Sequence, residues 1–290
     1  MAIVTGGGGG LGKQHALLLA SRGARVVVND LGGSVSGEGS DKGPAETVAQ
    51  EIRDLGGEAV SDTNSVSTPE GGAAVVQTAL DAYERIDIVI NNAGILRDKT
   101  FHNLTPDLLD PVIDVHLKGA FYVTRPAWIK MREQGYGRVI NTSSNSGILG
   151  NFGQSNYGAA KMGLVGFTRV LAAEGARYNI KVNAIAPLAR TRMTEDVLGG
   201  AVAHLDPELV SPVVAWLAHE DVPVTGEVYT VGGGRVARFF IGMTPGYYNA
   251  KLTAEDVRDN FADIRAEPGY TVPSGIADEL QVVLKTIEAG

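Results

Sequence analysis

The sequence predicts an α/β protein: a doubly wound parallel sheet followed by a helical C-terminal extension. Short apolar runs rich in β-forming residues alternate along the chain with longer segments of helical periodicity. The first apolar run leads through a glycine-rich turn directly into a helix, and polar residues follow several later runs. Because ligands bind at the carboxyl ends of the strands in such sheets, those residues are the candidates for function.

Seven strands and the helices between them account for the chain up to residue 234. The predicted strands are 1–5, 26–30, 58–61, 86–91, 138–142, 181–186 and 227–231. Helices are predicted after the glycine-rich turn, over 45–55, after Pro69, over 105–131 with interruptions at Pro111 and Pro126, around residue 157, after Asp206, over 253–257 and over 276–287. We therefore expect a nucleotide-binding domain, 1–234, and an extension, 235–290, which is too apolar to be disordered.

The glycine-rich turn is the first candidate binding element. Residues 5–12 read Thr-Gly-Gly-Gly-Gly-Gly-Leu-Gly between a predicted buried strand and an apolar helix. Glycines let the backbone approach a pyrophosphate, and the N-terminus of the helix offers free N–H groups to it. The turn therefore predicts the dinucleotide site of a Rossmann fold, formed by Gly6, Gly10, Leu11 and Gly12. The alternative is a flexible glycine linker, which the flanking strand and helix disfavour.

The second predicted strand ends in Asp30, about 20 residues after the turn. A carboxylate at this place binds the ribose diol and repels a 2′-phosphate, and no Arg or Lys stands in the turn or directly after Asp30. We therefore expect NAD as the cofactor rather than NADP. The following loop, Gly32 to Gly43, is longer than most connections, and it is either a surface loop or a loop that folds over the adenosine.

The fourth predicted strand ends in Asn91, Asn92, Ala93 and Gly94. Amide side chains can hold neighbouring strands together, and small residues let a cofactor lie against the backbone. We expect Asn92, Ala93 and Gly94 to contact the cofactor, although the motif alone would indicate only a turn.

The candidate catalytic residues are Tyr157 and Lys161, four residues apart in a predicted helix, and Ser144, which follows the fifth predicted strand. A helix places side chains at this spacing on one face. Free tyrosine has a pKa of about 10, and a nearby ammonium favours the phenolate, so we expect a lowered pKa for Tyr157. Ser144 is placed to hold the oxygen of the substrate that the tyrosine deprotonates.

These motifs, in this order, resemble the short-chain dehydrogenase/reductase family. The closer resemblance is to the (3R)-hydroxyacyl-CoA dehydrogenase unit of the type 2 peroxisomal multifunctional enzymes, and it covers nearly the whole chain. It rests on four further segments: VNDLGG at 28–33, NNAGILRD at 91–98, VHL at 115–117 and GNFGQ at 150–154. The resemblance implies an NAD-dependent oxidation of (3R)-3-hydroxyacyl-CoA to 3-ketoacyl-CoA. It also implies a homodimer or homotetramer, with the extension packed on the core or on the dimer partner.

The resemblance assigns further site residues. Asn64, Ser65 and Val66 stand where the family contacts adenine, usually through an Asp. His116 stands where most members carry an Asn that holds a water near the lysine. Histidine can relay protons there, and a structural role is the equal alternative.

The loop after the sixth strand departs from the family pattern. It carries Pro187 and Thr191 as cofactor contacts, with Leu188 where glycine is usual, so the contact of Thr191 is in doubt. Arg190 and Arg192 in this loop are candidates for the phosphates of an acyl-CoA substrate, and solvated loop charges are the alternative.

Composition excludes several other classes of function. The net charge of −8 indicates no general nucleic-acid partner, and the absence of cysteine excludes thiolate chemistry and cysteine-based metal sites. The remaining histidines, including His15, show no metal spacing, and we expect them at the surface or in helices. No segment is typical of a signal peptide or membrane insertion, and the last residues are not a peroxisomal address. We expect a free-standing cytoplasmic enzyme.

Three alternatives remain open on the sequence alone. The same catalytic residues serve a hydroxysteroid or other secondary-alcohol dehydrogenase. They also serve an NADPH-dependent 3-oxoacyl reductase, which Asp30 disfavours. A dinucleotide sensor without catalysis is the third, and the presence of Ser144, Tyr157 and Lys161 disfavours it.

Overall fold

The computed structural model describes residues 1–41, 43–190 and 204–289. Eight strands form one sheet in the order β3-β2-β1-β4-β5-β6-β7-β8, and the pairs from β3 to β7 are parallel. The strands are β1 Ala2–Thr5, β2 Val26–Asn29, β3 Ala59–Asp62, β4 Ile88–Asn91, β5 Gly137–Thr142, β6 Ile180–Pro187, β7 Val228–Gly232 and β8 Arg235–Phe239. The doubly wound parallel sheet predicted from the sequence is confirmed.

Helices lie between the strands and continue after the last one. They are α1 Gly10–Ser21, α2 Gly43–Asp54, α3 Pro69–Tyr83, α4 Pro106–Ile113, α5 Gly119–Gln134, α6 Asn145–Leu149, α7 Ser155–Gly175, α8 Ser211–Leu217, α9 Ala254–Asp259, α10 Phe261–Ile264 and α11 Ile276–Ala289. No helix in the described part of the chain is long and apolar enough to cross a bilayer.

The central strands are apolar throughout because helices cover both faces of the sheet. Successive residues of a strand point to opposite faces, so Val4 and Val28 join one core cluster while Ile3 and Val27 join the other. All four side chains are inaccessible to solvent. The strand order reverses between β1 and β4, and this reversal creates a crevice at the carboxyl ends of the strands.

The predicted helix over 105–131 is interrupted once, and not at the two prolines where we expected interruptions. Pro111 and Pro126 both stand inside helices, α4 and α5, and end neither of them. A single π-helical turn over Asp114–Lys118 separates the two helices instead. Such turns occur often at functional sites, and this one carries His116 into the protein interior.

The eighth strand was not predicted. Gly233 and Gly234 have φ angles of 55° and 79°, the left-handed values that a two-residue hairpin turn requires. The chain therefore turns back at these glycines and adds one strand beyond the boundary that the sequence suggested.

The chain forms two compact units, Met1–Arg238 and Phe239–Gly290. In the second unit, Thr253 and Asp256 form a reciprocal capping box at the start of α9, and Met243 pairs with Thr271 in an antiparallel bridge. None of the described side chains of this unit is buried.

Candidate active site

A cavity of about 580 Å³ lies at the carboxyl ends of the strands, on the side where the strand order reverses. Most of the predicted site residues line it together. They are Gly6, Gly10, Leu11, Asp30, Asn64, Ser65, Val66, Asn92, Ala93, Gly94, His116, Ser144, Tyr157, Lys161 and Pro187. Gly12 is buried under the turn and does not line the cavity. Thr191 and Arg192 lie outside the described residues.

The glycine-rich turn forms the floor of the cavity, and hydrogen bonds connect it to the residues that follow β4. Gly6 has a φ of 63°, a conformation that favours glycine. The hydroxyl of Thr5 accepts hydrogen bonds from the backbone N–H groups of Asn92 (3.0 Å) and Ala93 (3.1 Å). The Asn92 amide donates in turn to the carbonyls of Thr5 and Gly6, both at 3.1 Å. The turn and the end of β4 therefore form one rigid surface.

Asp30 stands at the edge of this floor with both carboxylate oxygens engaged by backbone groups. Gly8 N–H donates to Oδ2 at 2.9 Å, and Gly32 N–H donates to Oδ1 at 2.8 Å. The carboxylate is thus oriented before any ligand binds, and it places a negative charge beside the glycine-rich turn.

The buried Asp62, at the end of β3, is a site residue that the sequence analysis missed. Its carboxylate accepts hydrogen bonds from the side chains of Asn29 (2.7 Å), Asn64 (2.8 Å) and Thr78 (2.7 Å). Asp62 therefore fixes Asn64 at the cavity wall. Its place at the end of a predicted strand could have identified it, because polar residues at strand ends are the candidates for function in such a sheet.

Lys161 extends from α7 to the base of the cavity. Its ammonium donates to the carbonyl of Thr142 at 2.5 Å and lies 5.5 Å from the ring centroid of Tyr157. Burial lowers the pKa of Lys161 to about 7. The neighbouring Ser143 hydroxyl donates to the Lys161 carbonyl at 2.8 Å, which fastens α7 to the end of β5.

The pKa of Tyr157 differs in direction from the sequence-based expectation. Burial raises it above its ordinary value, a hydrogen bond with Ser144 opposes the rise, and Asp98 adds to it. The lowering that we expected from Lys161 is not found, because the rise due to burial exceeds the opposing effect of the hydrogen bond with Ser144.

Ser144 caps the short helix α6 directly after β5. Its hydroxyl accepts the N–H of Ser146 at 3.1 Å, so the side chain is held at the cavity wall. Behind it, Asn141 accepts from Asn91 and donates to Thr168, both at 2.8 Å, which ties β4, β5 and α7 together. The buried amides thus join the strands and the helix from which Ser144 and Tyr157 extend.

His116, which belongs to the π turn, also lies beside Tyr157 in the cavity. Its ring packs edge-on against Tyr157, with ring centroids 5.1 Å apart, and its Nε2 lies 2.7 Å from the carbonyl and 3.0 Å from the N–H of Ile95. Burial, and next the charge of Lys161, lowers the pKa of His116 well below its ordinary value. The imidazole is therefore neutral at physiological pH.

A second, much smaller cavity of about 10 Å³ adjoins His116, Lys161 and Asn91. His116 Nδ1 and Asn91 Oδ1 are buried and have no hydrogen-bond partner in the described part of the protein. The size of the cavity suits one water molecule.

The structure adds detail to two further expectations, those on Arg190 and His15. Arg190 forms an ion pair with Asp206 at 3.2 Å, so its charge is partly compensated. His15 was expected at the surface or in a helix; it is in α1 but completely buried, with Nδ1 2.8 Å from the hydroxyl of Ser211.

A glycine-rich turn at the reversal of a parallel sheet, with a serine, a tyrosine and a lysine brought to one cavity, defines an oxidoreductase that uses a nicotinamide dinucleotide. Residues 1–199 match the short chain dehydrogenase family. The chain belongs to this family, and it is an oxidoreductase acting on secondary alcohols.

Individual relatives cover most of the chain. A protein named as a short-chain type dehydrogenase/reductase in Mycobacterium tuberculosis is 50% identical over 90% of this chain and 92% of its own length. The peroxisomal hydratase-dehydrogenase-epimerase of Saccharomyces cerevisiae is 50% identical over 81% of this chain and 26% of its own. The structure of the full-length peroxisomal multifunctional enzyme type 2 of Drosophila melanogaster matches with a TM-score of 0.83 and 38% identity, over 99% of this chain and 49% of that one. This chain therefore spans about a quarter of the yeast enzyme and about half of the Drosophila enzyme.

Proposed function

We propose that this protein oxidises (3R)-3-hydroxyacyl-CoA to 3-ketoacyl-CoA with NAD. The observation that carries the proposal is the similarity to the multifunctional enzymes, which reaches 99% of this chain. One such relative is named a hydratase-dehydrogenase-epimerase, and a hydratase makes the hydroxyl group that a dehydrogenase then oxidises. The (3R) configuration follows from the resemblance of the sequence to that dehydrogenase unit.

The cavity suits a dinucleotide in size and in the groups that line it. The glycine-rich turn offers its backbone to a pyrophosphate, and Asp30 supplies an oriented carboxylate for a ribose diol. That carboxylate disfavours a 2′-phosphate by charge repulsion, which supports NAD over NADP. We assign Asn64, which Asp62 holds, to the adenine side of the cofactor and Lys161 to the second ribose, because both residues line the cavity.

The catalytic roles follow from the placement of three side chains. The bound dinucleotide supplies the acceptor for the hydride that leaves the carbinol carbon. Ser144 donates a hydrogen bond to the substrate oxygen, and Tyr157, as the phenolate, takes the proton from that oxygen. Because burial raises the pKa of Tyr157, positive charge at the cofactor and at Lys161 must stabilise the phenolate.

Lys161 and His116 complete a path for the proton away from Tyr157. The edge-on contact between the two rings and the small cavity beside Lys161 connect these residues. A neutral imidazole both donates and accepts hydrogen bonds, so His116 serves as a relay without carrying a charge itself.

The test is turnover on a substrate panel with NAD and with NADPH. We expect NAD-dependent oxidation of (3R)-3-hydroxyacyl-CoA esters to exceed that of the (3S) esters, of hydroxysteroids and of simple secondary alcohols. Higher kcat/KM for the NADPH-dependent reduction of 3-oxoacyl thioesters would indicate a reductase instead. Binding of the cofactor without turnover on any member of the panel would indicate a sensor.

A further inference from the structure

A strap crosses the cofactor cavity from one wall to the other. We define the strap as Leu31–Asp41, the segment between β2 and α2. Its own backbone closes it at the base, because Asp41 N–H donates to the Leu31 carbonyl at 3.0 Å. Within it, Ser34 N–H donates to the carbonyl of Glu38 at 2.9 Å. The strap is therefore an ordered loop whose two ends lie together at β2.

The far side of the strap is fastened to the segment that follows β4. Leu96 N–H donates to the carbonyl of Val35 at 2.9 Å. Arg97 donates through Nε to the carbonyl of Ser36 at 2.8 Å and through Nη1 to the carbonyl of Asp107, also at 2.8 Å. Arg97 thus links the strap to α4 across the mouth of the site.

The order of the strands in the sheet places the strap above the glycine-rich turn. Strands β2 and β4 are separated by β1, whose carboxyl end carries the glycine-rich turn. A loop that begins at β2 and is bonded after β4 must pass above that turn. Both the turn and the strap line the same cavity, the strap through residues that include Gly33 and Val35. A dinucleotide that reaches from Asp30 to Tyr157 lies beneath the strap.

The fastening is weak enough to open. No side chain of the strap is buried, so opening exposes little apolar surface. The three hydrogen bonds described above hold the far side of the strap. Leu96 and Arg97 each donate one directly to the strap, and Arg97 donates the third to Asp107, which holds the guanidinium in place.

We propose that the strap closes over the bound dinucleotide and that Arg97 is the positioning residue that latches it, so that latch opening limits cofactor exchange. The proposal depends on dinucleotide binding and not on the identity of the substrate. Arg97 acts through the Ser36 carbonyl and takes no part in proton or hydride transfer. Its loss should therefore change the rates of cofactor exchange more than the affinity.

The first test is the substitution Arg97→Met, which removes both hydrogen bonds and keeps an unbranched apolar stem. The dissociation rate of NADH, or of NADPH if the unmodified protein binds it more tightly, should rise about ten-fold in stopped-flow fluorescence, and the association rate should also rise. Arg53→Met is the matched control, because Arg53 also donates to a backbone carbonyl, that of Ala59, at 2.9 Å away from the cavity. Exchange rates of Arg97→Met within two-fold of those of Arg53→Met would overturn the proposal.

The second test locks the strap and predicts the opposite change. The chain has no cysteine. A Cβ built on Gly37 would lie 3.6 Å from the Cβ of Ile95, within the range of disulfides, although the φ of 84° strains any residue other than glycine there. In the double variant Gly37→Cys/Ile95→Cys, oxidation with cofactor bound should slow its release at least about ten-fold compared with the reduced form of the same variant, and reduction should restore it.

The comparison within one protein removes any effect of the substitutions on folding. Oxidation of the cofactor-free variant should slow association as well. Equal exchange rates in the oxidised and reduced forms, with the disulfide verified by mass spectrometry, would show that the strap does not gate the cavity.

Discussion

Asp30 combines two tasks that a substitution can separate. Its charge faces the cavity, and its two oxygens hold the glycine-rich turn and the strap through Gly8 and Gly32. We expect the unmodified protein to have a higher kcat/KM with NAD than with NADP. Asp30→Asn removes the charge and keeps one of the two acceptors, so it should reduce the preference about ten-fold. Asp30→Ala should also weaken NAD binding. Equal or better kcat/KM with NADP for the unmodified protein would refute the assignment of NAD.

Tyr157 and His116 differ in what their removal should do. Tyr157→Phe removes the group that takes the substrate proton, so turnover should nearly vanish while NAD binding persists. His116→Ala should lower kcat by about 100-fold or more, by an amount that changes with pH, with little effect on cofactor affinity. His116→Asn should recover part of the loss, because an amide also donates and accepts hydrogen bonds.

If His116 has only a structural role, the kcat and Tm of its variants should change in a different way. The His116 ring is buried and bonded to Ile95, so its removal could act through folding alone. Full kcat for His116→Ala across the pH range, or a loss of activity that only follows a loss of Tm, would show that the histidine is structural.

At the scale of elements, α1 and α8 are joined by the buried pair His15 and Ser211. Burial lowers the pKa of His15 to about 3, from about 6.5 in an unfolded chain. The unfolded state therefore binds a proton between these pH values and the folded state does not. Stability should fall as the pH decreases through this window, by at most about 1.4 kcal/mol per pH unit from this residue.

Replacing the histidine should flatten that dependence. His15→Gln keeps a hydrogen-bonding side chain and cannot be protonated, so the slope of the free energy of unfolding against pH between about 6.5 and 4 should decrease in urea titrations. His102→Gln, at an exposed histidine, is the control and should leave the slope unchanged. An unchanged slope in His15→Gln would contradict the assignment.

The sequence predicted the elements whose signal is local. Strands β1 to β7 are apolar runs, and their alternation with helices predicts a doubly wound parallel sheet. The π turn was missed because the helical pattern of the sequence does not reveal a single added residue. Strand β8 was missed because three consecutive glycines are compatible with the end of a domain as well as with a hairpin. The link from Arg97 to the strap joins residues about 60 positions apart, and no local pattern encodes such a contact.

At the scale of the whole molecule, the second unit leaves an apolar helix face without cover. On α11, Ile276, Leu280, Val283, Leu284 and Ile287 follow the spacing of one helix face, and they are between 47% and 86% exposed. Phe240, Tyr247 and Tyr248, in the same unit, are between 36% and 48% exposed. A helix of 14 residues is marginal in water without an apolar surface against it. We therefore expect these side chains to be covered in a homodimer or homotetramer.

Removing the segment after Arg238 should lower the number of subunits in the assembly, measured by sedimentation equilibrium relative to the mass of the truncated single chain, or the Tm, because the assembly loses this apolar contact. The double substitution Leu280→Glu/Leu284→Glu places charges on the same face of the full chain and should have the same effect, since an unpaired charge is costly to bury. Lys285→Glu, at an exposed polar position of α11, is the control for added negative charge. Truncated and doubly substituted proteins that keep the number of subunits, the Tm and the acyl-CoA kinetics of the full chain would show that this face takes no part in assembly.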